Sequence, residues 1–329
     1  MPAPGVIDMH THVCPATFPD CPDATVRRWP CMVCEANGRR TLTIDGKPFR
    51  QLDDRSWSAA RRLADMDRDG IAVQLLSPMP ELLSYWLPAD AAEAMCDHVN
   101  ATLAALAAEA PTRFRGIGMV PLQDPDRAVR YLPRLGEVFG MEGVEIGSNI
   151  DGRLLGDTAL DPFYAAAEQQ GAAIFVHALH PLAPPTGADA ALVNGAGFPL
   201  DVGLAAASLI SAGVMARYPK LRLGFSHGGG ALPSLLGRLD KVWALSGEGG
   251  ERPSVTAERF FYDSNVYSPD LLRDLATRVA PGQVFAGSDY PYRIEQTGLA
   301  AYLDAAGLAA DAREALRTGA ARRFLGIDS

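Results

Sequence analysis

Eight short apolar or β-branched runs recur along the 329 residues, at 6–9, 72–76, 116–120, 143–146, 173–176, 221–226, 259–263 and 283–287. Most lack the apolar–polar alternation of a half-exposed strand. They read instead as parallel strands covered on both faces. The stretches between them carry Ala, Leu, Glu and Arg at helical spacing, at 58–69, 89–109, 126–139, 161–170, 202–217, 232–244 and 270–279. Asp161-Pro162 and Ser268-Pro269 mark helix starts, and 298–325 supplies the last helix or two. Eight strands alternating with helices predict an α/β chain, a (β/α)8 TIM barrel spanning 1–329 as a single domain.

The alternation is broken once. Residues 13–57 separate the first strand from its helix, far beyond the usual βα loop. Thr41 to Ile44 followed by Asp45-Gly46 signals a hairpin inside this insertion. In a barrel it lies at the C-terminal face, so it is expected to act as a lid or substrate-binding element.

Composition excludes several classes. Hydrophobic residues make up 48% and charged residues 21%, enough for a large core. A formal net charge of −9 argues against a nucleic-acid partner, which needs a basic stripe. It leaves room for a small anionic substrate, because local arginines can reverse the field inside a pocket. The start of the chain lacks the basic and apolar regions of a secretory signal. The longest apolar stretch, 202–215, falls short of the roughly twenty residues a bilayer needs and reads as a buried helix. The expectation is a cytoplasmic protein with no membrane partner. Of the five cysteines, Cys14, Cys21, Cys31, Cys34 and Cys96, two form a C-x-x-C at Cys31 and Cys34. No second C-x-x-C completes a structural zinc site, so reduced loop cysteines are expected.

The polar residues at the strand ends point to a metal. Asp8-Met9-His10-Thr11-His12 closes the first run. Residues two apart in a strand point the same way, so His10 and His12 can reach one ion together. His177 closes the fifth run, Ser226-His227 the sixth and Ser288-Asp289 the eighth. Four of the six histidines thus fall at strand ends of one face. Three neutral imidazoles and one carboxylate, from His10, His12, His177 and Asp289, suit a single divalent ion, zinc first and manganese second. His227 is read as an acid–base imidazole beside the ion rather than a ligand, with direct ligation as the alternative. His98 is expected to be structural or exposed. His180 is expected either to touch substrate or to be an exposed loop residue.

These residues resemble the amidohydrolase superfamily, and within it the aminocarboxymuconate-semialdehyde decarboxylase group. The matching text is Ile7-Asp8-Met9-His10-Thr11-His12, Phe49-Arg50, Met66-Asp67 followed by Gly70, Val120-Pro121-Leu122-Gln123, Phe175-Val176-His177, His227-Gly228-Gly229-Gly230, Gly237-Arg238, and Gly287-Ser288-Asp289-Tyr290-Pro291. The resemblance implies a mononuclear barrel. Binuclear relatives carry a carboxylated lysine at the end of strand four, where this chain reads Val144-Glu145-Ile146-Gly147. It also implies decarboxylation, with His227 and Asp289 as catalytic groups and His227 activating a metal-bound water. Arg50 and Arg238 would bind substrate carboxylates, Arg238 entering from a neighbouring subunit of a homodimer or higher homo-oligomer.

The departures all touch the pocket. The family's His-Pro-Trp after strand five reads His177-Ala178-Leu179-His180, and its aromatic-Pro-Leu after the metal aspartate becomes Tyr292-Arg293-Ile294. Residues 181–197 are unlike the family and rich in Ala, Pro and Gly. Arg293 is a candidate third anion contact. The expected function is therefore metal-dependent, non-oxidative decarboxylation of an unsaturated or aromatic carboxylic acid. The alternative is a hydrolase or hydratase acting on a lactone or unsaturated dicarboxylate.

Overall fold

A computed structural model describes residues 5–327 apart from 24, 37, 38, 181–186, 188 and 248. Of the divergent 181–197 segment after strand five, residues 181–186 and 188 therefore lie outside the described residues.

The eight expected runs form eight parallel strands: β1 (Val6–Asp8), β2 (Ile71–Pro78), β3 (Phe114–Gly118), β4 (Gly143–Gly147), β5 (Ala173–His177), β6 (Arg222–Phe225), β7 (Phe261–Asp263) and β8 (Val284–Phe285). Each pairs in parallel with the next. Main-chain contacts close the ring: Met9 N donates to Ala286 O at 2.8 Å, and Thr11 bridges to Tyr290. The expected (β/α)8 barrel is the architecture observed. All five residues of β4 and of β5 are buried, which is why these runs showed no alternation.

Helix ends follow their caps. Ser58 accepts from Arg61 N to open Ala59–Asp69, and Gly70 at φ 70° closes it in the left-handed region. Two expected helices are broken by residues that cannot continue them. The 126–139 segment becomes Pro125–Tyr131 and Pro133–Glu137, because Pro133 has no N–H to donate. The 202–217 segment is cut at Gly213, φ 65°, ahead of Val214–Arg217. Its upstream end also differs. A helical run of 22 residues, Ala190–Ser211, precedes the break, and by length and composition alone it could span a membrane. Its Phe198–Ser211 part instead buries Val202, Ala205, Ala206, Leu209 and Asp201 within the fold.

Two apolar layers result. The larger lies between the strands and the surrounding helices. The smaller fills the barrel with Ile7, Met9, Leu75, Ile117, Phe175, Phe261 and Phe285, and is stoppered by Phe324 and Leu325 of the C-terminal helix Ala320–Leu325. The Phe324 ring packs at a tilt against both Phe261 and Phe285, 5.3 Å from each.

The 13–57 insertion is a three-stranded antiparallel sheet of Pro30–Cys34, Arg40–Ile44 and Lys47–Leu52. The expected hairpin sits at Asp45-Gly46, both at positive φ (51° and 68°), as such a turn requires. Leu42 and Leu52 face inward from this sheet, and Trp29 Nε1 donates to Pro19 O at 3.0 Å.

Candidate metal centre

The C-terminal strand ends gather the site. His10 and His12 follow β1, His177 ends β5, and Asp289 follows β8. One ligand atom from each of the four lies within 4.8 Å of all the others, and all four residues are buried. The backbone is shaped to present them. Asp289 N donates to His10 O at 2.8 Å, and Asp289 adopts φ 67°. Ser288 donates to both oxygens of Asp8, from N at 3.0 Å and Oγ at 2.6 Å, locking strand eight to strand one. Burial pushes the Asp8 carboxyl up to about 6.

The three rings are oriented alike. His10 Nδ1 lies 2.5 Å from Asp263 Oδ2, His12 Nδ1 3.2 Å from Pro78 O, and His177 Nδ1 2.7 Å from Ala178 O. Each partner is an acceptor only, so each Nδ1 carries the proton and each Nε2 keeps its lone pair. Those lone pairs converge: His10 Nε2 is 3.1 Å from His12 Nε2 and 3.0 Å from His177 Nε2. Asp289 Oδ1 lies 3.4 Å and 3.2 Å from the first two and has no hydrogen bond of its own. Three lone pairs and a buried carboxylate oxygen facing one point repel unless a cation joins them. The donor set fits a divalent ion.

The electrostatics ask for the same charge. Burial works against a charged His10, yet Asp289 and Asp263 outweigh it and push the ring up to about 9. His177 is held well below the usual range by its burial, and the three imidazoles beside it add to the effect. Burial opposes the Asp289 carboxylate, but His10 and His12 hold it below the ordinary value.

His227 stands beside this cluster, its ring 5.4 Å from His177 and 5.7 Å from His10. It makes none of the four converging contacts. Its φ is 54°, and Gly228, Gly229 and Gly230 follow at 61°, 77° and 58°. A side chain at Gly230 would strike the Pro199 carbonyl, which explains the glycine run. His227 Nδ1 lies 3.3 Å from Ser226 Oγ, and burial lowers the basicity of the ring while Asp263 opposes that effect.

The remaining candidates are dispersed. Arg50, from the insertion, reaches the site rim: Nη2 donates to Glu81 Oε1 at 3.0 Å and the guanidinium lies 4.4 Å over Tyr292. Arg293 is exposed. Arg238 is exposed on the helix Leu232–Ser246, outside this chain's own site, and among the described residues it has no ion-pair partner. Asp240, two residues further along the same helix, accepts from Ser254 and pairs with Arg252. His180 is exposed at the mouth, its ring 5.8 Å from Trp86. His98 lies 2.8 Å from Thr17 O and so ties the insertion to a helix. All five cysteines are free. Cys31 and Cys34, three apart on one strand, point to opposite faces.

Four residues were given no role by the sequence reading. Asp263 ends β7, orients His10, and accepts from Gly228 N at 2.7 Å, coupling the first ring to the His227 loop. A carboxylate closing the seventh run was its one visible signal. Tyr292 stacks on His12 at 4.9 Å and 22°. Glu81 pairs with Arg50. Glu145, on β4, is fully buried and accepts from Ser77 Oγ at 2.6 Å; burial pushes its carboxyl up to about 8.

Fold and site together define a barrel with one buried His3Asp centre. The chain belongs to the amidohydrolase family, whose profile matches residues 7–327. It is 29% identical over 335 residues to a 2-amino-3-carboxymuconate-6-semialdehyde decarboxylase of Dictyostelium discoideum, covering 98% of this chain and 92% of that one. Among solved structures, 5-carboxyvanillate decarboxylase of Sphingomonas paucimobilis superposes with a TM-score of 0.79 at 23% identity, over 99% of this chain and 100% of that one. The Novosphingobium aromaticivorans 5-carboxyvanillate decarboxylase, with bound manganese and 4-hydroxy-3-methoxy-5-nitrobenzoic acid, gives 0.75 at 24% identity, over 83% and 82%.

Proposed function

We propose that this chain is a metal-dependent, non-oxidative decarboxylase of an aromatic or unsaturated carboxylic acid. The observation that carries the reading is the trio of Nε2 lone pairs converging on Asp289 Oδ1 with a fourth imidazole, His227, alongside but outside the set. The decarboxylases it resembles support the reaction class.

His10, His12, His177 and Asp289 would hold the ion. Its Lewis acidity would draw in the substrate's oxygens and offset their negative charge. Zinc suits the nitrogen-rich set, and the manganese-bearing neighbour supports manganese as the second choice. Asp263 fixes the tautomer of His10 and keeps its Nε2 free. His227 rests neutral because it is buried. It draws a proton from solvent water, one per turnover with hydroxide left behind, and passes that proton to the carbon that bears the carboxylate. The bond from that carbon to the carboxylate then breaks, CO2 leaves, and its electron pair restores the unsaturated system. The product keeps the proton where the carboxylate was, so charge and atoms balance.

Arg50 binds the substrate from the insertion, which acts as the lid, with His180 and Arg293 as outer contacts. Arg238 shares a helix face with exposed Leu235, Val242 and Leu245, three, four and seven residues away. A stripe of this kind suits a subunit contact. In a homodimer it would carry Arg238 to a second chain's site. Five free cysteines favour a reducing, cytoplasmic setting.

The test is CO2 release from a panel of hydroxybenzoic, muconic and related acids, with metal-loaded and chelated enzyme. Release only when loaded is the expected result. Turnover of lactones without CO2 release would favour the hydrolase alternative.

A further inference from the structure

The wall beyond His12 is built in layers. Tyr292 stacks on His12, Arg50 lies over Tyr292, and Glu81 grips Arg50. Glu81 comes from the turn Pro80–Leu83 after β2, and its side chain is 11% exposed against 32% for Arg50. The pair is not self-sufficient. Glu81 Oε2, Arg50 Nε and the Tyr292 hydroxyl are all buried and have no hydrogen-bond partner. Unmet buried polar atoms are costly, so three of them on the layers stacked behind His12 mark where a ligand's own polar group belongs.

Charge decides which group. A free Arg50 would clamp a substrate carboxylate. Here its charge is already met by Glu81, and a second carboxylate arriving at this wall would face Glu81 across a poorly screened gap. The wall instead offers one spare acceptor, one spare donor and a hydroxyl. A hydroxyl or amino group satisfies Glu81 Oε2 as donor, and a hydroxyl can also accept from Arg50 Nε. Resting on the decarboxylase reading above, we propose that Glu81 is a specificity-determining residue. It selects acids whose ring or chain bears a hydroxyl or amino group at the Arg50 wall, and it rejects acids that place a second carboxylate there.

The test compares kcat/KM for a hydroxybenzoate and a benzenedicarboxylate of matched ring geometry, in the metal-loaded wild type and in Glu81→Gln. The amide keeps the shape and the contact with Arg50 but removes the charge. A parallel titration by calorimetry uses the nitro analogue of each acid, with the scissile carboxylate replaced, so that binding is read without turnover. The wild type should favour the hydroxy acid by about tenfold or more. Glu81→Gln should move that ratio towards the dicarboxylate by about tenfold, through opposite changes for the two acids. A merely structural role would weaken both alike, and that result overturns the inference, as does a wild-type preference for the dicarboxylate. The two readings fail separately. CO2 release with an unmoved ratio sinks the role of Glu81 alone. A shifted binding ratio without any CO2 release sinks the decarboxylase reading and leaves Glu81 as the selector of bound acids.

Discussion

The two ends of the barrel interior are built from different materials only two residues apart. On β5, Phe175 belongs to the aromatic plug and His177 to the metal cluster. On β7, Phe261 meets Phe324, and Asp263 meets His10. The lower end is self-consistent: rings stack on rings, and burial alone stabilises them. The upper end is in conflict with itself when considered without a cation. It holds buried carboxylates, facing lone pairs and two non-glycine residues, His227 and Asp289, in the left-handed region. Stability and chemistry are therefore assigned to opposite ends, and the period-two geometry of a strand keeps them separate.

Mutations at the two ends should divide accordingly. The largest effect is expected from His227→Asn, which should lower kcat by about 10²–10⁴ while metal content and melting temperature stay near wild type. Retained activity with full metal loading would remove His227 from the chemistry. Phe324→Ala should cost about 3–5 kcal/mol in denaturant unfolding, with the folded fraction still binding one ion per chain. Loss of metal at unchanged stability would show that the ends are not independent. Asp263→Asn should weaken metal affinity about 10–100-fold in a chelator competition, since His10 would lose the acceptor that fixes its tautomer. An unchanged affinity would mean that the converging rings orient themselves. The smallest effect belongs to a site remote from both ends: Ser58→Ala should cost about 1 kcal/mol by removing the cap on Arg61 N, and leave kcat/KM alone.

The insertion shows how far sequence reading can go. The Asp45-Gly46 turn was legible because left-handed backbone at two successive positions demands those residue types. Its first strand, Pro30–Cys34, was not, since Cys31, Met32 and Val33 carry no alternation when most of that strand is exposed. Likewise, the 202–217 segment reads as one helix by periodicity, and only the left-handed Gly213 divides it.

By itself the sequence determined the eight strands, their order and the four residues that converge at one face. Each of these depends on local period: buried parallel strands read as unbroken apolar runs, and a strand fixes which side chains leave its end together. The tertiary structure alone decided that Asp263 stands behind His10, 253 residues away, that Tyr292 rather than Arg293 stacks on the cluster, and that Glu81 already holds Arg50. Those contacts join elements that only barrel closure brings within a few ångströms. A carboxylate's role as tautomer lock or as charge screen is set by its neighbours in space, and no periodicity along the chain records them.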